Sequence, residues 1–250
     1  MTVAAVAVLG AVVAWALTVP LHRCKELRPL GRRDIGNEDG VLVRAVWRHA
    51  RVAGSTVEVG ALDVVPVLSW FVAGPRTRHR APATVVVTQL AVPATMALTA
   101  VRFESIWLIV AYCWFCVAAV AIAVTDARIL LIPWWMPWVT ALGALLLVPA
   151  AVALGETERI LWALAGGAGA FAVFFVLFVA APGRLGYSDV RLALPIGLYT
   201  GFVSPLLVLW ALLLGSLLGV LVGVWSMVRG GERHFAFGPA LAAGALLAPG

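Results

Sequence analysis

Apolar residues occur along the chain in continuous runs of about 20, not in the short alternating segments of an outer-membrane β-barrel. The pattern therefore predicts an all-α fold, a polytopic membrane bundle of about eight segments. The predicted segments are Val3–Pro20, Ala83–Val101, Ile106–Val124, Trp134–Leu154, Ile160–Ala181, Val190–Val203, Leu206–Val228 and Phe237–Pro249. Two of them are short, and Val190–Val203 contains Pro195 and Gly197. We expect that segment to be broken or to cross a thin region of the membrane.

The composition supports a membrane class and excludes an ordinary soluble domain. Of 250 residues, 63% are hydrophobic and 12% are charged, whereas a soluble domain has about 25% charged residues. The net charge of +6 is better explained by anionic membrane lipids than by nucleic acid, because the basic residues lie between apolar runs. The three cysteines form neither a disulfide framework nor a zinc-ligand pattern.

The distribution of Lys and Arg predicts the orientation. If residues 1–20 form a first helix with its N-terminus outside and all eight segments cross, 16 of the 18 basic residues lie on the cytoplasmic side. Residues 21–82 then form a basic cytoplasmic loop with an interfacial segment, and residues 83–250 form the membrane-embedded core. The expected location is the inner, or plasma, membrane.

Two carboxylates stand where long apolar runs end, Asp126 and Asp189. A carboxylate deep in a membrane costs about 3 kcal/mol, so such residues tend to be paired, hydrated or functional. One interpretation is structural: Asp126 pairs with Arg128, and Asp189 pairs with Arg191 or caps the helix that starts at Val190. The other is a catalytic dyad, in which two close carboxylates share one proton as in aspartic proteases.

The motifs around these aspartates resemble those of the type IV prepilin peptidases. Asp126 is followed seven residues later by the proline of Ile132-Pro133, which is the family's spacing. The segment 186–192, Gly-Tyr-Ser-Asp-Val-Arg-Leu, is similar to the family's Gly-x-Gly-Asp followed by Val-Lys-Leu. Two further stretches resemble the family in the same order along the chain, Val-Pro-Val-Leu-Ser-Trp at 65–70 and Phe-Gly-Pro at 237–239.

The resemblance implies a membrane aspartic endopeptidase with Asp126 and Asp189 as its catalytic pair at the cytoplasmic face. Gly186, Ser188, Arg191 and Pro133 are the implied supporting residues. The implied substrate is a type IV pilin-like precursor, whose basic leader is removed just before its apolar helix. We expect no nucleic-acid partner.

The chain departs from the family pattern at several positions. Ser188 replaces a glycine, and we expect its side chain to narrow the site or to donate a hydrogen bond that lowers the pKa of Asp189. Trp134 follows the Ile-Pro pair where the family has an acidic or amide residue. The loop at 74–80 lacks the cysteines that bind zinc in many members, so we expect no metal and no cofactor, with S-adenosylmethionine needed only if a methyltransferase activity is retained.

Two alternatives remain open at this point. The chain is compatible with a catalytically inactive relative that keeps the fold, and with a non-enzymatic membrane transporter or assembly factor. A transporter tends to hold its coupling carboxylates near the middle of the membrane, whereas both aspartates here follow the ends of apolar runs.

Overall fold

A computed structural model of the chain describes residues 2–23, 83–129, 132–180 and 185–228. Within these ranges the chain is helical and contains no strand. The predicted segment Phe237–Pro249, the motifs at 65–70 and 237–239, and nearly all of the basic loop lie outside the described residues. The helices group into two compact units, which divide between Val101 and Arg102.

Each described apolar run folds as a helix, and the helices match seven of the predicted segments. Their bounds are Val3–Arg23 (α1), Ala83–Arg102 (α2), Ile106–Ile129 (α3), Trp135–Leu142 (α4), Leu147–Leu154 (α5), Glu158–Ala180 (α6), Tyr187–Val203 (α7) and Pro205–Val228 (α8). A 3₁₀ turn, Gly143–Leu146, joins α4 to α5.

Four helical stretches in the described part of the chain are long and apolar enough to cross a membrane. They are Val85–Arg102, Ile106–Asp126, Trp135–Leu154 and Glu158–Ala180, and two shorter apolar stretches are Val3–Thr18 and Pro205–Leu221. Large apolar side chains such as Leu161 and Val176 point outward and are more than 60% exposed. The chain is therefore a helical membrane protein, since water would not tolerate so much exposed apolar surface.

The structure corrects the prediction for α7, for α3 and for the segment Trp134–Leu154. The helix α7 starts at Tyr187 instead of Val190, because Ser188 and Asp189 form its first turn. The helix α3 runs on to Ile129, so Asp126 lies inside its last turns instead of beyond its end. The predicted segment Trp134–Leu154 is not one uniform α-helix, because the turn Gly143–Leu146 interrupts it.

The first unit contains α1 and α2, which pack through a small residue. Val6, Gly10, Ala14 and Thr18 are buried at intervals of four residues, so they form one face of α1. A Cβ at Gly10 would lie 2.7 Å from the Cα of Pro93 on α2. The missing side chain at Gly10 thus permits the close approach of the two backbones.

The second unit is built around α7, which is buried on almost every side. Gly166 on α6 faces Gly197 and Gly201 on α7, and a Cβ at Gly197 would overlap the carbonyl group of Gly166. Such contacts are typical of helices that pack closely through small residues. Val208 of α8 also reaches Gly166, so α8 packs against the same helix pair.

The turn between α5 and α6 explains why the chain reverses there. Gly155 has a φ of 70°, a left-handed conformation that favours glycine. Its N–H donates to the carbonyl of Val152, and the N–H of Glu156 donates to the carbonyl of Ala151. These two bonds form a Schellman motif, which ends α5 and lets α6 begin at Glu158.

Candidate active site

Two interactions at separate points, the ring contact of Phe115 with Tyr199 and the electrostatic interaction of Asp126 with Asp189, show that α3 and α7 lie antiparallel. The ring centroids of Phe115 on α3 and Tyr199 on α7 are 4.6 Å apart. Asp126 follows Phe115 by eleven residues, and Asp189 precedes Tyr199 by ten. At about 1.5 Å per residue both aspartates lie roughly 15 Å along their helices from this contact, in the same direction. The fold thereby brings Asp126 and Asp189 to the same end of the helix pair.

The face of α3 that carries Asp126 also points into the protein. Eleven residues are close to three helical turns, so Asp126 lies on the same face as Phe115. Ile122 lies between them on this face and is 1% exposed. Asp126 itself is 6% exposed and Asp189 is 8% exposed. Both carboxyl groups are therefore buried, and they belong to separate helices.

The two buried acids influence each other electrostatically. Burial, which is the largest cause, and the neighbouring carboxylate of Asp126 raise the pKa of Asp189 from 3.8 to about 7. A hydrogen bond from the backbone N–H of Gly186 partly opposes this shift by stabilising the ionised form. At neutral pH Asp189 consequently keeps a proton for part of the time, although an exposed aspartate would be ionised.

Asp189 also caps α7, as one of the structural interpretations predicted, but from a different position. Gly186 is the N-cap residue and has no side chain with which to cap. Asp189 is the third residue of the helix, and its carboxylate accepts the N–H of Gly186, while its own N–H donates to the carbonyl of Gly186 at 3.1 Å. This arrangement resembles a capping box. Capping and electrostatic coupling thus involve the same carboxylate.

The predicted supporting residues Gly186, Ser188 and Arg191 lie close to Asp189 along the chain, but their contacts with it differ. Ser188 is half-buried, and the hydrogen bond that lowers the pKa of Asp189 comes from Gly186 instead of the Ser188 hydroxyl. Arg191 holds its guanidinium 4.4 Å from the centre of the Tyr187 ring. Because Arg191 follows Asp189 by two residues, the two side chains leave α7 in different directions.

The remaining sequence-predicted residues are placed only in part. Pro133 is half-buried and precedes α4, where its carbonyl accepts the N–H of Met136 at 3.0 Å. The side chain of Arg128, the proposed partner of Asp126, lies outside the described residues. The suggested Asp126–Arg128 pair therefore stays a prediction.

Sequence reasoning missed the contacts that hold α3 and α7 together at the end opposite the acids. The Tyr112 hydroxyl donates to the carbonyl of Tyr199 at 2.6 Å, and the Tyr199 hydroxyl donates to the carbonyl of Thr140 on α4 at 3.5 Å. We call Tyr112, Phe115 and Tyr199 the aromatic brace. The sequence did carry a signal of these hydrogen bonds, because a tyrosine hydroxyl inside an apolar run must find a polar partner.

No group of three or more His, Cys, Asp or Glu side chains is arranged to hold a metal ion in the described ranges. The two carboxylates are the titratable groups that the fold brings together at the end of α3 and α7. A pair of this kind can divide the two roles of acid–base chemistry: the ionised member accepts a proton, and the protonated member donates one.

Comparisons with known proteins add nothing to this geometry. No protein-family model matches the chain, and no curated protein or solved structure matches it.

Proposed function

We propose that the chain is a membrane aspartic endopeptidase with Asp126 and Asp189 as its catalytic pair. The observation that carries the proposal is the burial of two carboxylates on separate helices, one of which raises the pKa of the other. A structural helix cap needs neither the second acid nor its burial. A proton shared between two acids near neutral pH is, by contrast, what aspartic protease chemistry requires.

The proposed mechanism divides the work between the two acids. The ionised aspartate takes a proton from a water molecule, and the resulting hydroxide attacks the carbonyl carbon of the scissile peptide bond. The protonated aspartate donates a hydrogen bond to the carbonyl oxygen and stabilises the negative charge that develops there. Asp189, with a pKa of about 7, is suited to carry the shared proton. No metal or cofactor takes part in this scheme.

The proposed substrate class is a type IV pilin-like precursor, with a basic leader followed by an apolar helix. This step rests on the resemblance of the motifs around Asp126 and Asp189 to those of prepilin peptidases. The proposed topology has about eight crossings with the N-terminus outside, so that both acids face the cytoplasm and meet the leader junction there. A basic leader would be repelled by the basic face of the enzyme, and we assign its attraction to anionic lipids.

The principal rival is a chain that keeps this fold without the activity, either an inactive relative or a transporter or assembly factor. The position of the acids favours the enzyme over the transporter. Asp126 lies in the last turns of α3 and Asp189 in the first turn of α7, whereas coupling sites of transporters lie near the middle of the membrane.

Cleavage of a pilin-like precursor in proteoliposomes tests the proposal. We expect Asp126→Asn and Asp189→Asn each to reduce the cleavage rate by about 10³-fold or more, since members of a catalytic unit fail together. The matched control is Glu156→Gln, an exposed carboxylate paired with Arg159, which should cleave at the wild-type rate. A labelled methyl donor in the same assay detects methyl transfer to the new N-terminus.

The outcomes separate the candidates. Cleavage that survives either aspartate substitution contradicts the dyad. A wild-type chain that cleaves none of a panel of pilin-like precursors favours the inactive relative or the transporter.

A further inference from the structure

The backbone conformation at position 186 does not explain why this residue is a glycine. Gly186 has a φ of −76° and a ψ of 141°, an extended conformation that any residue adopts. It lies outside the helix, and at an N-cap Ser, Thr, Asp or Asn would be preferred. Its N–H and carbonyl groups are both engaged with Asp189. Neither conformation nor capping therefore calls for a residue without a side chain.

The space beside Gly186 offers the explanation. A Cβ at this position would lie 3.1 Å from Oδ2 of Asp189 and 3.1 Å from Oγ of Ser188. Ordinary side-chain contacts are longer than this, so the carboxylate would be displaced or covered. Gly186 is itself exposed, whereas Asp189 is only 8% exposed. The bare α-carbon of an exposed residue thus lies beside the buried oxygen.

We infer that Gly186 is the access point to Asp189, over which water and the extended main chain of a peptide reach the Oδ2 oxygen. A glycine commonly marks a place where another backbone approaches closely, because no Cβ keeps it away. The Ser188 hydroxyl forms the other edge of this opening. The peptide part of the inference rests on the proposed function, but access to the carboxyl group does not.

The test measures access directly, without a substrate. The full-length chain in nanodiscs is treated with a water-soluble carbodiimide and glycine methyl ester, and labelling of Asp189 is followed by peptide mass spectrometry. The labelling is done at about pH 5, well below the pKa of about 7 of wild-type Asp189, so that a modest change of this pKa in a variant leaves the carboxyl group protonated and differences in rate report access.

We expect Asp189 of the wild type to be labelled although it is buried. The variant Gly186→Ala should be labelled at least about tenfold more slowly, because close-packed atoms leave no path for a reagent. Gly169→Ala is the matched control, since a Cβ at that exposed glycine meets nothing within 4 Å. Its labelling rate should equal that of the wild type.

The second variant is Ser188→Ala, which removes the hydroxyl from the far edge of the opening. It should be labelled as fast as the wild type or faster, and it keeps the inference testable if Gly186→Ala does not accumulate in the membrane. The inference is overturned if wild-type Asp189 is not labelled, if Gly186→Ala is labelled as fast as the wild type or slowed no more than Gly169→Ala, or if Ser188→Ala is labelled more slowly. Expected labelling with no precursor cleavage would leave the access point standing and reject the peptidase.

Discussion

The two ends of the antiparallel pair α3 and α7 have opposite chemistry. At one end, burial and the carboxylate of Asp126 disfavour the ionisation of Asp189. At the other end, the aromatic brace joins the helices through ring contacts and through the 2.6 Å hydrogen bond from Tyr112 to the carbonyl of Tyr199. The first arrangement costs stability when the acids ionise, and the second contributes stability at any pH. The contrast indicates that the brace and the close packing of α6 on α7 offset the cost of burying the acids.

Substitution of Asp189 should change how the free energy of unfolding depends on pH. The folded-state pKa of about 7 lies above the unfolded value of 3.8, so the folded state binds more protons between these pH values. Stability should therefore fall as the pH rises from about 4 to about 7, by roughly 1.4 kcal/mol for each pH unit. Asp189→Asn should remove this dependence and be more stable than the wild type above about pH 7.

The measurement is thermal unfolding in detergent across this pH range. The exposed Glu156→Gln serves as the control and should keep the wild-type dependence. An Asp189→Asn variant with an unchanged pH profile would show that the acid is not strained.

The packing behind α7 is tested by Gly197→Ala. A Cβ there would overlap the carbonyl of Gly166, which is backbone and cannot turn aside. We expect a loss of about 1–3 kcal/mol, the usual cost of overpacking, at any pH. The unfolding of this variant is compared with that of the control Gly169→Ala. Gly169 lies on the open face of α6, so the control should remain as stable as the wild type. Equal stability of the two variants would mean that α6 and α7 are not in contact at this point.

The brace is tested by Tyr112→Phe, which keeps the ring and deletes the hydroxyl. The ring contacts with Phe103 and Tyr199 remain, so the variant loses one hydrogen bond worth about 1 kcal/mol. Because the brace is roughly 15 Å from the acids, the pKa of Asp189 should not change. Unfolding and a carboxyl titration of the same sample check both expectations, and a shifted pKa would show that the two ends are coupled.

The sequence was informative wherever an apolar run alone determines the structure. Continuous runs predicted each described helix, since every backbone polar group in a membrane must be bonded within its own helix. Local chemistry then shifted the ends: polar residues at 188 and 189 form the first turn of α7, and the 3₁₀ turn at Gly143 accommodates the Trp114 indole and the Tyr199 hydroxyl. The turn at Gly143 depends on neighbours far away in the chain, which an apolar run does not reveal.

The candidate site was predicted in its residues but not in its arrangement. The positions of Asp126 and Asp189 at the ends of apolar runs singled them out. The N–H of Gly186 on the Asp189 carboxylate and the opening beside Gly186 depend on α7 starting at Tyr187, which the sequence reading placed three residues later. The brace depends on tertiary contacts. The motifs at 65–70 and 237–239 lie outside the described residues, so their part in the site stays a prediction.

The most direct test of the account is the pKa of Asp189 with and without its neighbour. Carboxyl carbon NMR of ¹³C-aspartate-labelled protein in nanodiscs would be titrated for the wild type and for Asp126→Asn, with Glu156→Gln as the control. We predict a pKa near 7 in the wild type and the control, and a lower value in Asp126→Asn that still exceeds 3.8, because burial remains. A wild-type value near 3.8, or a value that Asp126→Asn leaves unchanged, would contradict the claim that the two acids share one site.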